Sequence, residues 1–351
     1  MNESQWQLLL DVIAGKKVDS LPVGFIIDSP WLPGWSGIST LDYFTSDELW
    51  FEANKQAVEA FPDVLFLPGF WSEYGMCTEP SAFGAKCSFH TNELPYADKI
   101  IHRVEEIDRL SLPKPLCDGL APFVLNRLNL NRRRIERMGH AIRFAVARGP
   151  LNIASFLMGT TEFLIATRTD PEKIHTLLRI ITDYTIQWLR VQKAAFDTID
   201  GILILDDIVG FCGRPDFEEF AKPYLQSIFQ CLDVRVRFFH NDADGKVCAP
   251  FLPDIGINLF NFGFLHTLEE MKQWTGNKVT LLGNVPPRDV LALGTPQDVE
   301  HSVRSSVDAL TDTSRLILSC GGGMPDGVSS DNLNAFVGAA RQIKSKLALM
   351  E

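Results

Sequence analysis

The sequence predicts an α/β chain whose strands close into a (β/α)8 barrel. Three observations carry that prediction. Eight short apolar runs rich in β-branched residues recur along the 351 residues. Most are separated by helix-length segments with a 3.6-residue apolar period. Polar side chains of the ligand type follow the runs, at the strand ends where barrel enzymes keep their chemistry. No GxGxxG follows the first run, so an open dinucleotide-binding sheet lacks its signature.

The elements read in order as follows. Residues 1–17, MNESQWQLLLDVIAGKK, have no basic stretch ahead of their apolar positions. They predict an N-terminal amphipathic helix and not a secretion signal. The strands are expected at 22–27, 63–68, 141–147, 201–205, 234–239, 257–261, 278–282 and 315–318. Between them, Pro171–Ala195 is the clearest helix: Ile174, Leu177, Leu178, Ile181, Tyr184 and Trp188 form one stripe. Asp170 is its expected N-cap, with Pro171 at the first helical position. Asp216 reads as a cap as well. Segments 215–231, 295–310 and 330–349 show the same helical pattern. The interval 69–140 is too long for one crossover, and it holds Pro80, Pro95, Pro113, Pro115 and Pro122 before a helix at 121–138. It is expected to be an insertion after strand 2, lying over the barrel mouth as a lid. No linker, repeat or low-complexity tract divides the chain, so residues 1–351 read as a single domain with an N-terminal helical extension.

A formal net charge of −11 disfavours binding to nucleic acid or to an anionic membrane. No apolar run is long enough to span a bilayer. Seven scattered cysteines, an odd number without a CxxC, argue against a disulfide framework and for a reducing cytoplasm. Trp31, Trp35, Phe70, Trp71, Phe211, Phe262 and Phe264 fall near strand ends; most suit the core, and together they point to an apolar ligand pocket. The basic helix segment with Arg127, Arg132–Arg134 and Arg137 reads as a solvated face.

The string RVRFFHNDADG, residues 235–245, is a strand that ends in His240, Asn241, Asp242 and Asp244. In an extended tip, positions i and i+2 point to one side, so His240 and Asp242 approach the same point. By itself H-x-D is a common pair. Cys320, after the eighth strand, extends it to a His, carboxylate and thiolate set that suits zinc with one open position. Asp28, Glu73, Arg148, Asp206, Asp207, Asn261 and Asn284 sit at other tips. The Gly-rich turn SCGGGMP, residues 319–325, lets a ligand approach the backbone closely but lacks the Walker lysine.

GILILDDIVG with FEEFAKPYLQ, then FFHNDADG, LLGNVPPRDVLALGTP, SCGGGMP and DNL, in this order, resemble the uroporphyrinogen decarboxylase superfamily of TIM-barrel proteins. The resemblance covers residues 200–345, and EPSAFGAKCSF at 79–89 resembles the cobalamin-dependent methyltransferase branch. The decarboxylases carry an Arg-rich signature after the first strand. Residues 22–37 here contain no Arg, which argues against decarboxylation of a polycarboxylate tetrapyrrole. Zinc methyltransferases of the family use His-x-Cys and a later Cys in the Gly-rich loop. His240 matches the His, Asp242 stands at the first Cys, and the later Cys falls on Gly322, two residues from Cys320.

The resemblance implies a cytoplasmic methyltransferase that moves a methyl group between a small substrate, such as a methoxylated aromatic, and a cobalamin on a partner corrinoid protein. Its implied zinc ligands are His240, Asp242 and Cys320. Asp206, Asp207 and His240 are the expected catalytic groups. Gly321, Gly322 and Asn284 are expected to contact the cofactor, and Asp28, Trp31, Glu73 and Glu79 the substrate. Two other readings stay open. One is metal-free decarboxylation with His240, Asp206 and Asp242 as proton carriers. The other is a corrinoid- or tetrapyrrole-binding module that has lost its catalytic ligands.

Overall fold

A computed structural model describes residues 1–343. All eight expected strands form: β1 Gly24–Ile26, β2 Leu65–Leu67, β3 Phe144–Arg148, β4 Gly201–Leu205, β5 Val236–Asn241, β6 Leu259–Phe262, β7 Thr280–Val285 and β8 Leu316–Cys320. They are parallel. β1 pairs with β2, and β3 to β8 pair in sequence order. The Leu318 N–H donates to the Pro22 carbonyl at 2.8 Å, which brings β8 back to the start of β1 and closes the (β/α)8 barrel on that side. Among the described residues no ladder joins β2 to β3.

The N-terminus spans that seam at its base. The Ala141 N–H donates to the Met1 carbonyl at 3.0 Å. Gln5 Nε2 donates to the carbonyls of Pro62 and Val64, at 2.9 and 3.2 Å. Helix α1, Glu3–Ile13, starts here with a reciprocal cap between Asn2 and Gln5. Its buried face, Trp6, Leu9 and Val12, joins the apolar cluster inside the barrel. The N-terminal helix is therefore a plug in the lower opening of the barrel.

Strand alternation sorts the core into two layers. Ile26, Leu65, Leu67, Phe144, Leu203, Leu205, Val236, Phe238, Leu259, Leu282 and Ile317 fill the barrel. Their neighbours, including Ile202, Ile204, Phe239, Phe260, Leu316 and Leu318, face the helices outside. The same alternation, carried past the strand tips, decides which polar residues enter the mouth.

Helix α2, Asp47–Ala60, packs against α3, Ala121–Arg137, the expected helix of the insertion. The expected solvated face of α3 holds for Arg133 and Arg137, which are exposed, but not for its other basic residues. Arg127 is buried, bonds Asp47 Oδ1 at 2.8 Å and the Phe44 carbonyl, and lies over the rings of Trp50 and Tyr74. Arg134 pairs with Glu48 and Glu52, and Arg132 with Glu136 and Asp197. Helix α4, Pro150–Met158, follows β3, and α5, Pro171–Ala195, has the expected bounds. Asp170 makes no side-chain cap on α5, and Asp216 pairs with Arg168 at 2.8 Å instead of capping. The expected helix at 215–231 is broken by a π-helical turn, Phe217–Ala221. The last helix runs Ser330–Gln342; the end expected for it, 344–349, lies outside the described residues. All seven cysteines are free thiols. Among the described residues no helix is long and apolar enough to cross a membrane.

Candidate functional site

The site grows from the tip of β5. Val236 and Phe238 point into the barrel, so His240 and then Asp242 follow on the inner side. His240 is buried, with its Nδ1 2.7 Å from Asn261 Oδ1 on β6. The Asn261 amide donates to the carbonyls of Leu282 and Cys320, at 2.8 and 3.3 Å. Those bonds orient the Asn261 oxygen toward the imidazole. An oxygen there can only accept, so Nδ1 is the nitrogen that donates, and in the neutral ring Nε2 is the one left with a lone pair. Nε2 lies 3.6 Å from Asp207 Oδ1.

Asp207, just past β4, is held from two sides. Its Oδ1 accepts the Asp242 backbone N–H at 3.1 Å, and its Oδ2 accepts Asn152 Nδ2 at 3.3 Å. One ligand atom each from Asp207, His240 and Asp242 lies within 4.8 Å of the others. An imidazole nitrogen and two carboxylates suit a divalent cation with positions left open. Burial, and then the Asp207 carboxylate beside it, push Asp242 up to about 6, while His240 pulls the other way. A cation between the two acids would relieve that crowding.

The third member of this set is Asp207 and not Cys320. Cys320 shares the parity of Leu316 and Leu318 and belongs to the layer facing the helices. Its Sγ points to the Gly322 carbonyl at 3.5 Å, and burial pushes the thiol up to about 12. A second correction concerns Asp206. It shares the parity of Ile202 and Ile204, so it leaves the mouth and accepts the backbone N–H groups of Leu151 and Asn152 at 2.9 and 3.0 Å. It thereby satisfies the first turn of α4. Asp206→Ala is expected to destabilise the protein by about 1–2 kcal/mol, as loss of a helix cap does, and to leave metal content unchanged. Urea unfolding and elemental analysis of the variant check both.

Other expected contacts separate in the same way. Trp31 is fully buried, stacks on Phe66 and donates to the Val328 carbonyl, so it is core and not a wall of the mouth. Asn284 donates to the His266 carbonyl at 2.6 Å in a cleft beside Phe264 and Leu265. Phe211 and Phe264 are exposed, whereas Phe70, Trp71 and Phe262 are buried. Asn241 and Asp244 shape the β5 loop: they accept the N–H groups of Ala243 and Lys246, and Asp244 also meets His266 Nε2 at 2.9 Å.

The glycine turn after β8 presses on the site. Gly321 packs on the backbone at 263–264. A Cβ on Gly322, whose φ is +96°, would lie 2.9 Å from the Asp242 Cβ. One on Gly323 would lie 2.7 Å from Asp28 Oδ2. Only glycine lets both acids keep their places.

Opposite the metal-type triad stands a second charged group: Asp28, Glu73, Glu79 and Arg148. Arg148 is on the inner side of β3, in line with Phe144. Its Nη2 meets Glu73 Oε2 at 3.3 Å, its Nε donates to the Gly75 carbonyl, and its backbone N–H donates to Glu79 Oε1 at 3.0 Å. Ser29 Oγ donates to Glu73 Oε1 at 2.9 Å. Burial raises Asp28, Glu73 and Glu79 above the usual carboxylate range, and Arg148 opposes the rise in each. Of the three carboxyl groups only Glu73 meets the guanidinium.

Two residues given no role by the sequence matter here, Asn261 and Asn152. Asn261 follows Leu259 by two in the inner alternation, which is the one signal that places it beside His240. For a cation held by this set, Asn261→Leu is expected to weaken binding 10–100-fold, roughly the loss seen when a ligand's supporting hydrogen bond is removed. A competition titration against a chromophoric chelator measures it.

The family model described as uroporphyrinogen decarboxylase (URO-D) matches residues 4–343. A uroporphyrinogen decarboxylase of Mannheimia succiniciproducens is 24% identical over 278 residues, 76% of either chain. A methylated-thiol–coenzyme M methyltransferase of Methanosarcina mazei is 26% identical over 227 residues, 64% of this chain and 59% of that one. The solved structure of a methyltransferase from Methanosarcina mazei superposes with a TM-score of 0.79 at 20% identity, over 95% of this chain and 96% of that one. At that identity the likeness is one of fold.

Proposed function

The chain belongs to the uroporphyrinogen decarboxylase family, and from that premise we propose that it is a methyltransferase. It moves a methyl group between a small substrate, such as a methoxylated aromatic, and a cobalamin carried by a partner corrinoid protein. The observation that carries the reading is the convergence of Asp207, His240 and Asp242 at the mouth, with His240 Nε2 turned toward Asp207 and Nδ1 tied to Asn261.

The zinc that the family implies fits this donor set. His240 Nε2, Asp207 and Asp242 would hold it, and Cys320 is not needed. When bound, the ion supplies Lewis-acid stabilisation of the charge that develops on the heteroatom losing its methyl group. Two carboxylates in place of thiolates make the site harder, which suits an oxygen leaving group better than a thiol. The residues of the chain do the rest. Asn261 fixes the imidazole tautomer, and Asn152 orients Asp207. Arg148 and Glu73 form the opposite wall against which a substrate is oriented. Insertion residues 69–140 contribute Glu73 and Glu79 to that wall, consistent with a cover over the mouth of a single barrel domain.

Elemental analysis of the purified protein, its His240→Ala and Cys320→Ser variants, and a methyl-transfer assay from guaiacol to reduced free cobalamin test the proposal. One equivalent of divalent metal is expected in the parent and in Cys320→Ser. A parent protein without metal, together with undiminished transfer in His240→Ala, would refute it.

A further inference from the structure

Asp28 follows Ile26 on the inner side of β1 and enters the mouth opposite the triad. Its Oδ1 is buried and has no hydrogen-bond partner. Its Oδ2 lies against the backbone of Gly323. The titratable and charged groups around it are Glu73 after β2, Arg148 on β3, Asp242 after β5, Tyr43 and Cys320. Arg148 is the single permanent cation among them, and it is occupied by Glu73 and the Gly75 carbonyl. A buried carboxyl oxygen without a partner is costly unless a ligand or a proton satisfies the group. Burial, and then Glu73, hold the Asp28 carboxyl well above the usual range.

We propose that Asp28 stands in the mouth as a neutral carboxylic acid and gives its proton to the substrate heteroatom that loses the methyl group. The inference rests on the methyl-transfer reading and adds a proton donor beside the Lewis acid that reading already contains. The bond between heteroatom and methyl carbon breaks, and its electron pair stays on the heteroatom. The heteroatom takes the Asp28 proton, the methyl passes to the nucleophilic acceptor, reduced cobalamin, and the Asp28 carboxylate is reprotonated from water. A donor at this position favours substrates whose leaving group would otherwise depart as an anion, such as an aryl ether oxygen, over quaternary ammonium donors, which leave as neutral amines and need no acid.

Asp28→Asn tests this, because it keeps the shape and can donate a hydrogen bond but cannot release a proton. The infrared difference between parent and variant at neutral pH is expected to show loss of one protonated-carboxyl C=O stretch. Methyl transfer from guaiacol to reduced cobalamin is expected to fall by about 10²-fold or more, the scale of general-acid catalysis. In the parent, transfer should be lost as pH rises through the Asp28 pKa, and in the variant that alkaline limb should vanish. No difference band, or a variant with the parent's rate and pH profile, overturns the inference alone. A parent that shows the band and binds metal but transfers no methyl overturns the methyl-transfer reading and this inference with it.

Discussion

His240→Ala is expected to abolish stoichiometric metal binding and to lower methyl transfer by at least about 10²-fold, the scale of removing one preorganised electrostatic partner of a transition state. His240 is the only nitrogen donor among the three ligand atoms, and Asn261 holds its tautomer. Without it, Asp207 and Asp242 remain as two crowded carboxylates, and protonation of one becomes the cheaper way to relieve them. Elemental analysis and the cobalamin assay read the two losses separately, and circular dichroism checks that the fold persists. Asp242→Cys supplies the converse. It restores a thiolate where the zinc methyltransferases have one, so metal binding should persist while cobalt(II)-loaded protein gains a thiolate charge-transfer absorption. An unchanged cobalt spectrum would show that position 242 does not touch the ion.

Trp6→Ala is expected to destabilise the fold by about 3–5 kcal/mol, the cost of emptying a large aromatic site in a core. Trp6 is fully buried and meets Phe144 edge-on with ring centroids 5.6 Å apart. It also lies under the guanidinium groups of Arg143 and Arg235. Its indole N–H has no hydrogen-bond partner, so Trp6→Phe loses packing but no hydrogen bond and should cost much less. Chemical denaturation gives both values. Because α1 plugs the opening opposite the site, metal content should be unchanged in either variant while it remains folded.

Much of the barrel was legible in the sequence. Each strand announced itself as a short apolar run, and Gly201–Leu205 and Pro171–Ala195 fall where the pattern put them. The tips were less clear. β5 and β8 run on through His240, Asn241 and Cys320, because parallel ladders, on both sides of β5 and with β7 for β8, hold polar residues in extended conformation as readily as apolar ones. Trp31 looked like a pocket residue because it follows a strand. Its indole found Phe66 and the Val328 carbonyl, partners that lie far along the chain.

The sequence by itself determined the number and order of the strands, the N-terminal helix, and the i, i+2 pairing of His240 with Asp242. Spacing alone carries those facts, since alternation along one strand needs no other strand. The tertiary structure decided which of two adjacent acids, Asp206 or Asp207, enters the mouth, and that Cys320 turns away from it. Neighbours in a strand face opposite sides, and which side is the interior exists only once the barrel has closed. It also decided that Asp28, Glu73 and Arg148 stand together, because three different strands must end at one mouth before their charges can interact.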